Sequence, residues 1–172
     1  MSQRDASPII RTFSWRAFNP LEPDPECILI EDIARSLSNL CRYNGHVREF
    51  YSVAEHSYWV SLDVPPQDAL WGLLHDASEA YLGDMMSPLK YHTPLGAQYR
   101  EIEALVMQAV CVRFNLPTKM PPSVSRADHA QLQREHDWLR SAQPRRRRNE
   151  SRAMSNAEAE LEFLNRFREL TR

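Results

Sequence analysis

Leu74-His75-Asp76-Ala77-Ser78-Glu79-Ala80-Tyr81-Leu82-Gly83-Asp84 is the stretch on which the reading of this chain turns. It sets an imidazole and two carboxylates on one short amphipathic segment and closes it with a glycine and a third acid. Leu70, Leu73, Leu74, Ala77 and Tyr81 recur at helical spacing, which predicts a mostly buried helix from about Asp68 to Leu82. Gly83 then provides a left-handed stop after the last turn. On such a helix Glu79 lies four residues after His75 and three after Asp76, so the three side chains can converge. An interior helix carrying those groups loses stability unless something satisfies them, and a bound cation does so most directly.

The rest of the composition is ordinary. The chain of 172 residues suits one domain over 1–172 with a real core. Hydrophobic content of 42% and charged content of 26% fit a soluble globular protein. A formal charge of −2 argues against stable nucleic-acid binding through bulk charge. No apolar run approaches the roughly 18 residues of a membrane span, and the N-terminus has no apolar signal core. Cys27, Cys41 and Cys111 form no C-x-x-C pair and are expected as reduced thiols in a cytoplasmic protein.

Working outward, residues 1–30 form an irregular N-terminal segment. In it Ile9–Phe13 and Arg16–Phe18 are expected to pair as a small hairpin around Ser14-Trp15. Asp32 is expected to cap a helix running to about Arg42, ended by Asn44-Gly45. Ser52-Val53-Ala54-Glu55 reads as a capping box opening a helix from Val53 to Leu62, with His56 in its first turn. Asp84 to His92 reads as a loop. Thr93-Pro94 is a cap and first-turn proline for a long amphipathic helix ending near Asn115. From about Ser123 a further helix carries Asp128, Leu132, Glu135 and Leu139 along one stripe. Arg145 to Arg148 fall in the loop of a 143–172 tail, whose last helix opens at a second capping box, Ser155-Asn156-Ala157-Glu158. The fold class is therefore all-α, a bundle of about six helices with a small N-terminal hairpin.

Three places supply metal-type ligands on inward faces: His56, the pair His75-Asp76, and Asp128. Two imidazoles with two carboxylates suit one divalent transition-metal ion (zinc, cobalt or manganese, with magnesium as a further choice) and leave positions open for water. The order His56 … His75-Asp76 … Asp128 resembles the H…HD…D signature of the HD-domain metal-dependent phosphohydrolases. Glu55-His56-Ser57, His75-Asp76-Ala77-Ser78-Glu79, Gly83-Asp84 and Pro88-Leu89-Lys90-Tyr91 together are similar to the 5′-deoxynucleotidase branch. They are also similar to small phage and bacterial HD hydrolases, some of which act on deoxynucleoside triphosphates such as dATP. The resemblance runs from about Asp32 to Trp138.

That resemblance implies an HD-domain bundle in which His56, His75, Asp76 and Asp128 hold the metal and Glu79 orients or deprotonates the attacking water. Asp84 matches the residue near the sugar 3′-hydroxyl. Arg42-Tyr43 matches an Arg-Trp pair in which arginine meets phosphate and the ring borders sugar and base. Tyr43 departs from the indole, and the segment from Arg42 to His56 is one residue shorter, so Arg48 stands as a rival or partner for the phosphate. The implied function is hydrolysis of a deoxynucleotide 5′-phosphate, either a monophosphate to deoxynucleoside plus phosphate or a triphosphate to deoxynucleoside plus triphosphate. Relatives of this type often self-associate, which makes a homo-oligomer an expectation.

The chemistry is coherent on its own terms. A divalent ion lowers the pKa of bound water and neutralises a phosphoryl oxygen. Glu79 can take the water's proton, and Arg42, Arg48 and Lys90 can hold the remaining oxygens. His46 is a candidate pocket residue, whereas His92, His129 and His136 read as surface or linker histidines. Trp59, Trp71 and Trp138 read as core aromatics. Competing readings are a hydrolase of alarmones or cyclic nucleotides, a nucleotide-binding module without turnover, and a nuclease acting through Arg145–Arg148.

Overall fold

The computed structural model describes residues 8–140 and 153–172. The Arg145–Arg148 run lies outside the described residues, as does the Leu139 side chain. The described part is helical apart from one hairpin, in which β1 (Ile10–Arg11) pairs antiparallel with β2 (Ala17–Phe18) and Ile10 faces Phe18. The helices are α1 (Ile30–Asn39), α2 (Val53–Leu62), α3 (Ala69–Leu74), α4 (Glu79–Leu82), α5 (Ser87–His92), α6 (Pro94–Arg113), α7 (Pro122–Arg140) and α8 (Asn156–Leu170).

The main core gathers Phe18 from the hairpin, Ile33 and Leu37 from α1, Val53 from α2, Leu73 and Leu74 from α3, Val106 and Val110 from α6, and Phe163 from α8. Phe18 stacks on Tyr81 with ring centroids 4.1 Å apart, so the hairpin is anchored in that core. A second cluster of Val60, Trp71, Cys111, Val124 and Ala127 joins α2 and α3 to α6 and α7. Gly72 makes the α2–α3 contact possible, because a Cβ there would stand 3.0 Å from the Ser61 backbone. Cys27, Cys41 and Cys111 are free thiols. No helix among the described residues is long and apolar enough to cross a membrane.

Several local expectations are corrected. Asp32 does not cap α1. The cap is Leu29, and Asp32 is buried in the first turn, where it accepts from the Ser14 N–H and hydroxyl, both at 2.7 Å. It pins the hairpin to the bundle. The helix also stops at Asn39, because Leu40 is extended and Cys41 forms an isolated bridge with Ser52. Arg42–Gly45 is a separate tight turn in which Tyr43 and Asn44 hold φ of 56° and 54°.

The helix expected over 68–82 is broken at 75–78. There the hydrogen bonds tighten to three-residue spacing, Ala77 N–H to Leu74 O and Glu79 N–H to Asp76 O, each 3.0 Å. Gly83 ends it, though at φ 81° and ψ 159°, an extended mirror-image conformation and not the left-handed helical one. The segment expected as a loop contains α5, started by Ser87-Pro88. That break and α5 account for the segments beyond the six expected. At α2, Ser52 accepts the Glu55 N–H as foreseen, while the Glu55 carboxylate accepts the Met154 N–H at 3.0 Å. The capping box at Ser155-Glu158 is complete.

Gly96 sits where α6 crosses the end of α5. A Cβ there would lie 2.2 Å from the Leu89 carbonyl oxygen and 2.3 Å from that of Lys90. Gly96→Ala therefore forces α5 off α6. Urea denaturation should show a loss of about 1–3 kcal/mol at unchanged m-value. An unaltered midpoint would contradict this packing.

Candidate metal centre

Three elements bring the polar cluster together. His56 comes from α2, where the Ser52 cap fixes the first turn, and it is fully buried. His75 and Asp76 come from the tight turn after α3, and Asp128 from the second turn of α7. His56 Nε2 and His75 Nε2 face each other at 3.3 Å. Asp76 Oδ2 lies 3.2 Å from His75 Nε2 and 3.8 Å from His56 Nε2. Asp128 Oδ1 lies 3.1 Å from His56 Nε2 and 3.9 Å from His75 Nε2. The donor atoms of His56, His75 and Asp76 all fall within 4.8 Å of one another, a grouping that can hold a metal ion.

The rest of each imidazole explains that convergence. His75 Nδ1 is 2.8 Å from the Gly72 carbonyl oxygen, which can only accept, so Nδ1 carries the proton. His56 Nδ1 is 2.7 Å from Glu135 Oε1. Both rings therefore turn Nε2 into the cluster, as ligating histidines do. Without a cation, a proton must stand between these groups. Burial opposes charge on His75, yet the charge and hydrogen bond of Asp76, with Asp128 beyond, raise its pKa to about 9. Burial likewise works against ionised Asp76, but the neighbouring His75 holds it well below the usual carboxylate range. The His56, His75 and Asp76 donors, with Asp128 Oδ1 beside them, could hold a divalent ion, which would displace that proton on binding.

Beside the cluster opens a cavity of about 660 Å³ lined by Arg42, Tyr43, His46, Asp76, Glu79, Asp84, Met86, Lys90, Tyr91, Asp128, Leu132 and His136, among others. Glu79 is 6% exposed, and its Oε2 has no hydrogen-bond partner among the described residues. Burial, then the charges of Asp76 and Asp84, push its pKa well above that of an ordinary glutamate. Asp84 is raised as well, by burial and by Asp76, with Arg42 opposing. The Arg42 guanidinium bonds Glu135 through Nε at 3.0 Å, and its Nη1 end points to Asp76 at 3.8 Å. Lys90 is paired with Glu103 at 2.7 Å. Tyr43 and His136 face each other with ring centroids 5.6 Å apart.

The sequence candidates thus separate. His56, His75, Asp76 and Asp128 come together, and Arg42, Tyr43, Glu79, Asp84 and Lys90 surround the adjoining cavity. Arg48 is exposed and is not part of the cavity wall. Of the remaining histidines, His46 and His136 line the cavity, while His92 and His129 are exposed. Trp71 and Trp138 are buried and Trp59 half-buried. Glu135, on the inner stripe of α7, has no role implied by spacing or resemblance, yet it contacts both His56 and Arg42.

A family model described as 5′-deoxynucleotidase YfbR-like matches residues 50–139. That span contains every member of the cluster but not Arg42 or Tyr43. The chain is 40% identical over 119 residues to an uncharacterized protein, YfdR, of Escherichia coli (strain K12), covering 69% of this chain and 65% of that one. It is 39% identical over 126 residues to an uncharacterized protein of Rhodobacter capsulatus, covering 68% and 63%. A protein named 5′-deoxynucleotidase in Photobacterium profundum is 34% identical over 73 residues, covering 42% and 34%. The chain therefore spans a little under two thirds of the length of the first two relatives.

Metal content gives the test. Protein passed through a desalting column after loading with manganese or zinc should retain close to one ion per chain. His75→Ala, or Asp76→Asn, should lose it while staying folded. Equal metal content in the folded variants would remove this site from consideration.

Proposed function

Since the chain belongs to the YfbR-like 5′-deoxynucleotidase family, we propose that it is an HD-domain phosphohydrolase that cleaves the 5′-phosphate of a deoxynucleoside monophosphate. The observation that carries this reading is the meeting of four metal-type ligands with a buried glutamate oxygen that has no partner among the described residues, at one cavity wall. In this reading His56, His75, Asp76 and Asp128 hold one divalent ion. When bound there, such an ion supplies Lewis acidity, screening a phosphoryl oxygen and making water a better nucleophile near neutral pH.

The chain's own residues do the rest. Glu79 Oε2 accepts the proton of the attacking water, a task suited to a carboxylate whose pKa is raised by burial and by its acidic neighbours. Arg42 presents its Nη groups to the phosphate, with its Nε occupied by Glu135. Asp84 receives the sugar 3′-hydroxyl, in keeping with the resemblance. Tyr43 and His136 offer aromatic surfaces to the base.

Charge supports monophosphate over triphosphate. Among the described residues the cavity wall holds two cationic side chains, Arg42 and Lys90, and both already face carboxylates. Opposite them stand Asp76, Glu79, Asp84 and Asp128. Among the described residues a triphosphate tail would meet few unengaged positive groups. We place this activity in the cytoplasm, where deoxynucleotide pools occur. The cavity itself supplies no reason to prefer alarmones, cyclic nucleotides or a nucleic-acid strand.

Two measurements check the proposal. A panel of deoxynucleoside mono- and triphosphates, assayed with manganese, cobalt, zinc and magnesium, should show inorganic phosphate released from monophosphates. Triphosphate release would move the substrate to the nucleoside triphosphates, and no release from either would contradict the reading. Glu79→Gln should lower kcat by about 10²–10⁴-fold with its metal content retained. Unchanged turnover in that variant would take proton abstraction away from Glu79.

A further inference from the structure

Glu135 lies on α7 seven residues beyond Asp128, two helical turns along the same stripe. It is 3% exposed, and its carboxylate serves four donors. Oε1 meets His56 Nδ1 at 2.7 Å and accepts from the Tyr51 hydroxyl at 3.0 Å. Oε2 accepts from the Tyr43 hydroxyl at 2.6 Å and from Arg42 Nε at 3.0 Å. Tyr51 is itself oriented by the Gln131 amide at 3.1 Å. A carboxylate offers about four lone-pair directions, so Glu135 is saturated and has nothing left for solvent, substrate or a metal.

From this we infer that Glu135 is a positioning residue shared by the two halves of the active site. It holds His56 in the form protonated on Nδ1, leaving Nε2 for the metal, and with its other oxygen it aims Arg42 and Tyr43 into the cavity. The inference rests on the metal-centre reading above. It makes metal affinity and substrate affinity depend on one buried side chain that touches neither ligand.

The chemistry of a glutamine replacement shows why the role is specific. Glutamine keeps the size of Glu135 but has one acceptor oxygen and one donor NH₂. With its oxygen toward His56 and Tyr51, the NH₂ group confronts the Arg42 Nε–H. Turned the other way, the NH₂ group confronts His56 Nδ1 and drives the imidazole proton onto Nε2, where it blocks ligation. Either orientation damages one half of the site. A carboxylate that served only to neutralise buried Arg42 would give a less stable protein with an unaltered metal centre.

The test compares the unsubstituted protein with Glu135→Gln and Glu135→Ala by zinc competition against a chromophoric chelator, and by KM for a deoxynucleoside monophosphate at saturating metal. The expected result is zinc binding weaker by about 10–100-fold together with a raised KM in Glu135→Ala, and at least one of the two in Glu135→Gln. In folded Glu135→Gln, zinc affinity within about twofold of the unsubstituted protein together with an unchanged KM would overturn the inference, and so would either one unchanged in folded Glu135→Ala. Should neither variant fold, long-range ¹⁵N–¹H spectra of the zinc-loaded unsubstituted protein decide instead. A proton on His56 Nδ1 is expected, and an unprotonated or ligated Nδ1 overturns the proposal. If the unsubstituted protein binds no zinc, the metal centre falls and this inference with it. Normal binding that is indifferent to residue 135 removes the inference alone.

Discussion

Two imidazole nitrogens 3.3 Å apart, with a carboxylate oxygen close to each, are the constraint around which this protein is built. Neither histidine can turn away. His75 is held by the Gly72 carbonyl and His56 by Glu135, both through Nδ1. The resulting concentration of acceptors in a largely buried space is tolerable only when a cation or a proton occupies it. The fold serves that arrangement. Gly72 lets α3 press on α2, and α7 packs alongside through Val124 and Ala127. The ligands, remote in sequence, thereby arrive at one point.

Around that centre, charge is distributed asymmetrically. Acidic groups line the side of the cavity next to the His56–His75 cluster, and among the described residues the two cations of its wall, Arg42 and Lys90, are already engaged. This bears on substrate size as well as on chemistry. In the proposed reading, a ligand with one phosphate would bring charge that a bound metal and Arg42 together could balance, whereas a longer phosphate chain would need further positive groups. Glu79 is largely buried, and among the described residues one of its oxygens has no hydrogen-bond partner, as the proposed proton acceptor requires.

Much of this was legible in the sequence because the strongest signals are periodic or local. The hydrophobic stripes of α6 and α8, the Thr93-Pro94 start and the Ser155 capping box each depend on neighbours within one turn. The spacing of His75, Asp76 and Glu79 survives even though the helix breaks there, because a tighter turn still puts all three on adjoining faces. What spacing could not show depends on tertiary contact. Asp32 looks like a cap but is claimed by Ser14 across 18 positions of chain. The segment Ser87–His92 is short and polar, with a proline, and becomes α5 by packing on α6 at Gly96. Arg42 and Arg48 are rivals on paper, and it is Arg42, held by the Tyr51 carbonyl and Glu135, that reaches the cavity wall. Glu135 carried a usable signal, a second acid on the buried stripe of Asp128, but its four partners come from regions far from it in sequence.

The central claim is a single ion held by side chains from α2, the turn after α3, and α7. Crystals of the manganese- or zinc-loaded protein, measured at the metal's absorption edge, test it most directly. The account predicts one anomalous peak at bonding distance, about 2.0–2.2 Å for these donor types, from His56 Nε2, His75 Nε2 and the carboxylates of Asp76 and Asp128. A loaded crystal with no peak among these residues, or with its peak on other ligands, would contradict it.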